Sequence, residues 1–180
     1  MSGAARRGHI GDSIPRSEDD RLLRGLGAYL DDLPEPPGTL HMGVVRSTHA
    51  HARIVAVDAT AARALPGIAA VLTWADMALL ARPFQPDMSM PGIQVVERSP
   101  VCVDRVRFVG DIVAVVLAES AYLAEDAMDL VAVEYAALPV ITTIDEALAP
   151  GAPKLHAAAA DNVLFRADSK TQGFDVAFAS

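Results

Sequence analysis

The chain has 180 residues, of which 52% are hydrophobic, 21% charged and 5% aromatic, with a formal net charge of −8. This length suits one domain plus tails at roughly 100–200 residues per domain, and the apolar content excludes a wholly disordered chain. The negative balance argues against nucleic acid and against an anionic membrane as partner, because phosphate binding needs clustered Lys and Arg.

One cysteine, Cys102, excludes an internal disulfide framework. It fits a reducing compartment, so a cytoplasmic location is expected. No apolar run approaches the roughly 18–20 residues of a membrane span. Arg6 and Arg7 have no hydrophobic stretch behind them, so neither a secretory nor a twin-arginine leader is expected.

In chain order, residues 1–15 are rich in Gly, Ser and Arg and predict a mobile start. Arg16–Asp32, RSEDDRLLRGLGAYLDD, sets both signs of charge close together around Leu22, Leu23, Leu26, Tyr29 and Leu30. Gly25 and Gly27 permit tight turns. This predicts an extended arm with a short turn, pinned by ion pairs and a few Leu contacts. The prolines of Asp31–Gly38 forbid a helix or a central strand. Leu40–Val45 and Arg53–Asp58 then read as strands, the second on its β-branched residues. Ala59–Leu65 predicts a helical turn stopped by Pro66 and Gly67, and Ile68–Leu72 an apolar strand. Thr73 is placed to cap a short helix through Leu80, with Asp76 in its first turn. Pro83–Gly92 is a loop carrying three prolines.

The later part is more regular. Val113–Leu117 is a continuous apolar run, as expected of a strand buried on both faces. Ser120 is a good N-cap. Behind it, Ala121, Ala124, Ala127, Met128 and Val131 recur at helical spacing, with Glu125, Asp126 and Asp129 outside. Val131–Tyr135 alternates as a half-buried strand does. Val140–Thr143 predicts a last short strand and Ile144–Leu148 a last helical turn. From Pro150 the texture becomes that of a linker, with a short extended piece at Asn162–Phe165. The expected class is α+β, a mixed sheet with short helices.

The candidate chemistry is sparse. His49 and His51, two apart, would share one face of an extended segment, with His41 nearby; zinc needs three or four ligands and no CxxC or HExxH completes a set. Cys102 sits among Pro100, Val101 and Val103 and reads as a buried structural thiol, although Arg105 and Arg107 are close. No phosphate loop or nucleophile elbow occurs. Glu125, Asp126 and Asp129 read as a solvated helix face. The residues alone predict no catalytic, cofactor-binding or metal residue.

Three blocks carry a resemblance: RSEDDRLLRGLGAYLDD at Arg16–Asp32, RSTHAHARI at Arg46–Ile54, and VGDIVAVVLAESAYLAEDAMDLVAVEYAALPVI at Val109–Ile141. In this order they resemble the start of the large subunit of molybdenum hydroxylases, the xanthine dehydrogenase, aldehyde oxidase and carbon monoxide dehydrogenase family. LPGI at Leu65–Ile68 and the His156–Asn162 segment add to it, and the likeness covers roughly Ile10 to the last residue. Ile112 stands where the family often has proline, and KTQGFD is looser than the family's pattern. The resemblance implies an α/β hammerhead domain over residues 16–150, including its arm. It implies a linker and the first strand of the next, molybdopterin-binding domain over 151–180. It also implies an oxidoreductase that hydroxylates an aldehyde, purine or other heterocycle with oxygen from water. Molybdopterin, often as its cytosine dinucleotide, and the catalytic glutamate would lie in later domains. Iron–sulfur clusters and FAD would sit on partner subunits. No catalytic residue carries over, so this chain alone is expected to be inactive. A stand-alone interaction module without catalytic activity is the alternative.

Overall fold

The computed structural model describes residues 11, 13–85 and 92–167. The chain divides into two compact units, Met1–Thr39 and Leu40–Ser180. In the first, helix α1 spans Asp19–Leu23 and a 3-10 turn spans Leu30–Asp32. The expected extended arm is therefore helical at its centre. Asp19 and Asp20 lie in the first turn, where the helix dipole favours negative charge. Asp20 also pairs with Arg24 at 2.7 Å, one turn on. Gly25, at φ +70°, ends the helix in the left-handed region. The apolar residues of this stretch stay largely on the surface: α1 buries no residue, and Leu23 and Leu30 are exposed.

The second unit contains strands β1 (His41–Arg46), β2 (Ala52–Asp58), β3 (Ile68–Leu72), β4 (Arg105–Val106), β5 (Ile112–Ala118) and β6 (Ala132–Ala137). Its helices are α2 (Thr60–Arg63), α3 (Trp74–Met77), α4 (Ala121–Asp129) and α5 (Ile144–Leu148). The class is α+β. Where one mixed sheet was expected, the strands divide between two three-stranded sheets, ordered β1-β5-β3 and β4-β2-β6. All their pairings are antiparallel.

The apolar run at Val113–Leu117 forms the centre of β5, and Val113, Ala114, Val116 and Ala118 are buried. One cluster gathers Ala59, Ala62, Val71, Ala114, Val116, Ala127 and Val131; a second gathers Ala52, Cys102, Val106 and Val113. Helix α4 packs on the first. Ser120 Oγ accepts from Leu123 N at 3.2 Å, the expected N-cap. Ala124 and Ala127 are buried as the spacing predicts, but Ala121, at the first helical position, is exposed and Leu123 is half-buried instead.

Three short helices are set by side-chain bonds. Asp76 Oδ2 accepts from Thr73 N and Thr73 Oγ1, both at 2.8 Å, and from Arg63 Nη2 at 2.7 Å. Arg63 also donates to Val71 O at 2.9 Å, so one guanidinium ties α2 to β3 and α3. Helix α3 stops at Met77, and turns continue through Leu80. Residues Val140–Thr143 form no strand. The Thr142 and Thr143 N–H groups donate to Glu146 Oε2 at 2.8 and 3.2 Å, so they are unavailable to a ladder. Thr143 Oγ1 accepts from Glu146 N in return, a reciprocal cap on α5. The two-residue strand β4 was not expected; two residues are too few to show a period.

Residues 150–166 bond back to the unit. The Asn162 amide donates to Ala147 O at 3.2 Å and Pro153 O at 3.0 Å, and accepts from Leu155 N at 3.1 Å. Gln94 N donates to Leu164 O at 2.8 Å, and its side chain joins Asp161, Val163 and Ala160. Most of the Pro83–Gly92 loop (86–91), the first ten residues and 168–180 lie outside the described residues.

A Cβ at Gly43 would meet Met128 Sδ at 2.8 Å and Ala124 O at 3.1 Å. Gly43→Val should therefore destabilise the chain by about 2 kcal/mol through overpacking, read as a lower urea midpoint at unchanged slope. Asp76→Ala should cost about 1 kcal/mol at neutral pH through the lost cap. Hydrogen bonds from Thr73 hold Asp76 below its ordinary value of 3.8. Its stabilisation is therefore complete above that value and lost as pH falls through the lowered one. The difference between Asp76→Ala and the parent should close on acidification; a gap that stays constant down to pH 2 would contradict this assignment.

Candidate functional site

The β1–β5 ladder slips between Val45 and Arg46, leaving Arg46 opposite Ile112. Such a slip re-aims the side chain beside it. Arg46 Nη1 donates to Gly110 O at 2.9 Å. Two backbone bonds of 2.8 Å, Gly110 N to Ser47 O and Ser47 N to Asp111 O, lock the segments together. Gly110 has φ +93°, a conformation that glycine adopts without strain. Asp111 Oδ2 caps the turn by accepting from Arg107 N at 2.9 Å. Arg107 Nε donates to Leu155 O at 3.0 Å, bringing the 155–156 segment alongside. Paired 2.8 Å bonds between Phe84 and Arg98 fix the backbone of the remaining wall.

These segments border a cleft of about 370 Å³ whose lining includes Arg46, Arg98, Arg107, Asp111, His156 and Cys102. Glu97 is the other carboxylate on its wall. Burial first, then the Arg107 and Arg98 guanidiniums, holds the His156 pKa below its ordinary range, with Asp111 opposing. The cleft therefore presents clustered cations on a chain of negative net charge.

Cys102 behaves as the sequence predicts. It is buried, and its thiol is pushed up to about 12, chiefly by burial and then by the neighbouring Asp111 carboxylate. Arg107 acts in the opposite direction without prevailing. A thiol in this state is a poor nucleophile.

The three histidines do not come together as ligands. His41 lies on β1. His49 and His51 flank the turn into β2 and have different surroundings. The His49 ring lies against Tyr135 with centroids 4.5 Å apart. His51 is buried, with Nδ1 2.7 Å from Pro139 O, and Nε2 has no partner. Among the described residues no three His, Cys, Asp or Glu side chains gather as a metal would require. Glu125, Asp126 and Asp129 are exposed on α4.

Sequence reasoning noted Arg46 and His156 within motifs and Arg107 beside Cys102, but did not name Arg98. The cleft's guanidiniums come from positions 46, 98 and 107 and its imidazole from 156, which no local spacing connects.

Residues 24–139 match the family model described as aldehyde oxidase and xanthine dehydrogenase, a/b hammerhead domain. The chain belongs to this family. Nicotine 6-hydroxylase large subunit of Paenarthrobacter nicotinovorans is 37% identical to it over 97% of this chain and 21% of that protein. The carbon monoxide dehydrogenase large chain of Afipia carboxidovorans is 41% identical over 82% of this chain and 17% of its own length. The crystal structure of quinoline 2-oxidoreductase from Pseudomonas putida 86 superposes with a TM-score of 0.78 at 42% identity, covering 90% of this chain and 20% of that one. The chain thus spans about a fifth of the length of these relatives. Within the hammerhead match lie all six strands and the cleft residues Arg46, Arg98, Arg107 and Asp111; His156 lies outside it. The opening run enters the match only from Arg24.

In native protein at pH 8, Cys102 should resist a disulfide reagent such as dithionitrobenzoate, and it should react once urea exposes it and restores an ordinary thiol. Stoichiometric release of thionitrobenzoate from the folded chain within seconds would contradict its burial.

Proposed function

We propose that the chain serves as the hammerhead domain of a molybdenum hydroxylase large subunit and that it does not itself hold the cofactor. The observation that carries this reading is the hammerhead match over 24–139, in relatives of which the chain spans about a fifth. Two features of the described residues support the second part of this reading. No cluster of three potential ligands forms, and the cationic cleft has only Gly110 among its lining glycines, not a glycine-rich cradle. No catalytic step is therefore derived from them.

In the proposed role the domain is scaffolding. Its Ala and Val core joins two small sheets. Apolar side chains that stay exposed in this chain, among them Leu79, Leu80, Phe84 and Phe108, would pack on the cofactor-binding domains of the subunit or on its iron–sulfur and flavin partners. The complete enzyme would be a molybdopterin-dependent oxidoreductase, its cofactor in the cytosine dinucleotide form. It would hydroxylate an aldehyde, a purine or another heterocycle and pass electrons through iron–sulfur clusters to FAD. The names of the relatives that act on nicotine and quinoline favour an N-heteroaromatic substrate. The single, buried Cys102 suits the cytoplasm. Among the described residues no helix is long and apolar enough to cross a membrane.

Native purification from the host, followed by elemental analysis, tests this reading. The chain is expected in an assembly much larger than itself that carries both molybdenum and iron. The chain produced alone is expected to hold less than about a tenth of an equivalent of molybdenum and to bind a hydrophobic dye. A chain that is monomeric in its host and free of molybdenum would instead be a stand-alone module.

A further inference from the structure

The cleft beside β5 shares Phe108 with the exposed apolar residues of the scaffolding role, which leaves the charged groups of its lining unexplained. We infer that it is a binding site for a small molecule bearing a phosphate or carboxylate group, held between Arg98 and Arg107 with Arg46 and His156 beside it. The inference does not depend on the subunit role proposed above.

Three observations support it. The first is the donor set. Arg46, Arg98 and Arg107 face one opening together with His156, against the carboxylates of Glu97 and Asp111. Guanidinium groups match phosphate and carboxylate oxygens with paired donors. The second is that these donors are only partly used. Arg46 gives Nη1 to Gly110 O and Arg107 gives Nε to Leu155 O, which orients both guanidiniums and leaves further N–H groups on each. The described contacts include no hydrogen bond or ion pair to the Arg98 guanidinium. The third is the space. A volume of about 370 Å³ lies within the range of small-ligand sites, which begins near 300 Å³.

Burial first, and then Arg107 and Arg98, hold the pKa of His156 down, and this pKa provides the readout. An anion seated between Arg98 and Arg107 would offset their field and raise the pKa of His156. The groups facing this imidazole include Arg98 and Arg107, which lower its pKa, and Asp111, which raises it; Arg46 and Glu97 complete the charged lining.

The full 180-residue chain would be followed by exchange of the imidazole C2 hydrogen, read by mass spectrometry from pH 5 to 8. The probes are inorganic phosphate and sodium acetate, each against sodium chloride at equal ionic strength. With at least one probe, the His156 midpoint should rise saturably by about half a unit or more, while His49 and His51 stay in place. Phosphate acting alone would identify a phosphate-bearing ligand, and acetate acting as well a carboxylate-tolerant one. Arg98→Glu should raise the His156 midpoint in chloride and weaken the response to the active probe at least about tenfold. Arg98→Gln, which removes the charge without reversing it, should weaken it less. No saturable shift with either probe, an equal shift at all three histidines, or an undiminished response in both Arg98 variants would overturn the proposal.

Discussion

Val113 and Ala114 are neighbours on β5, so their side chains leave the strand on opposite faces. Val113 belongs to the cluster with Ala52, Cys102 and Val106; Ala114 and Val116 belong to the cluster with Ala62, Val71 and Ala127. One strand thus feeds both cores, and Val57 and Val133 of the other sheet border both as well. Two three-stranded sheets have little stability singly, since sheets this small need a packed face. Their joint burial against β5 is the constraint on which the rest of the unit depends.

That constraint explains the composition. With β5 buried at Val113, Ala114, Val116 and Ala118, the elements packed on it must approach closely. Helix α4 meets them with Ala124 and Ala127, and β1 presents Gly43 beneath Met128. Gly67, at φ +83°, repeats the arrangement under Leu123, where a Cβ would come within 2.7 Å. The scarcity of aromatic residues is the same fact seen in the composition: a core of Ala and Val has little room for rings, and Phe84 and Phe108 remain exposed.

The sequence was most legible where burial imposed a period or a composition. β3 and the span of β5 followed from apolar runs, and Ser120 announced the start of α4. It was least legible where single side-chain bonds decided the outcome. Val140–Thr143 has β-branched residues, yet the carboxylate of Glu146 takes its N–H groups and leaves it outside any sheet. Asp19–Leu23 has no apolar face, yet a local ion pair and a glycine stop suffice for one helical turn. The cleft was not legible at all. Its arginines and His156 are spread from position 46 to position 156, and the Arg46 slip, the Phe84–Arg98 bridge and the Arg107–Leu155 bond bring their segments together.

The net charge of −8 sets how such a cleft can work. A chain this acidic repels anions at long range, so its field cannot draw a phosphate or carboxylate in from solution. At physiological salt that repulsion is screened beyond about 8 Å, whereas hydrogen-bonded guanidiniums act at contact distance and are screened far less. Recognition at this cleft is therefore local. It depends on the orientation of Arg46 and Arg107 by Gly110 O and Leu155 O, not on the charge of the chain. Composition argued against a polyanionic partner, but it carried no information about one small anion.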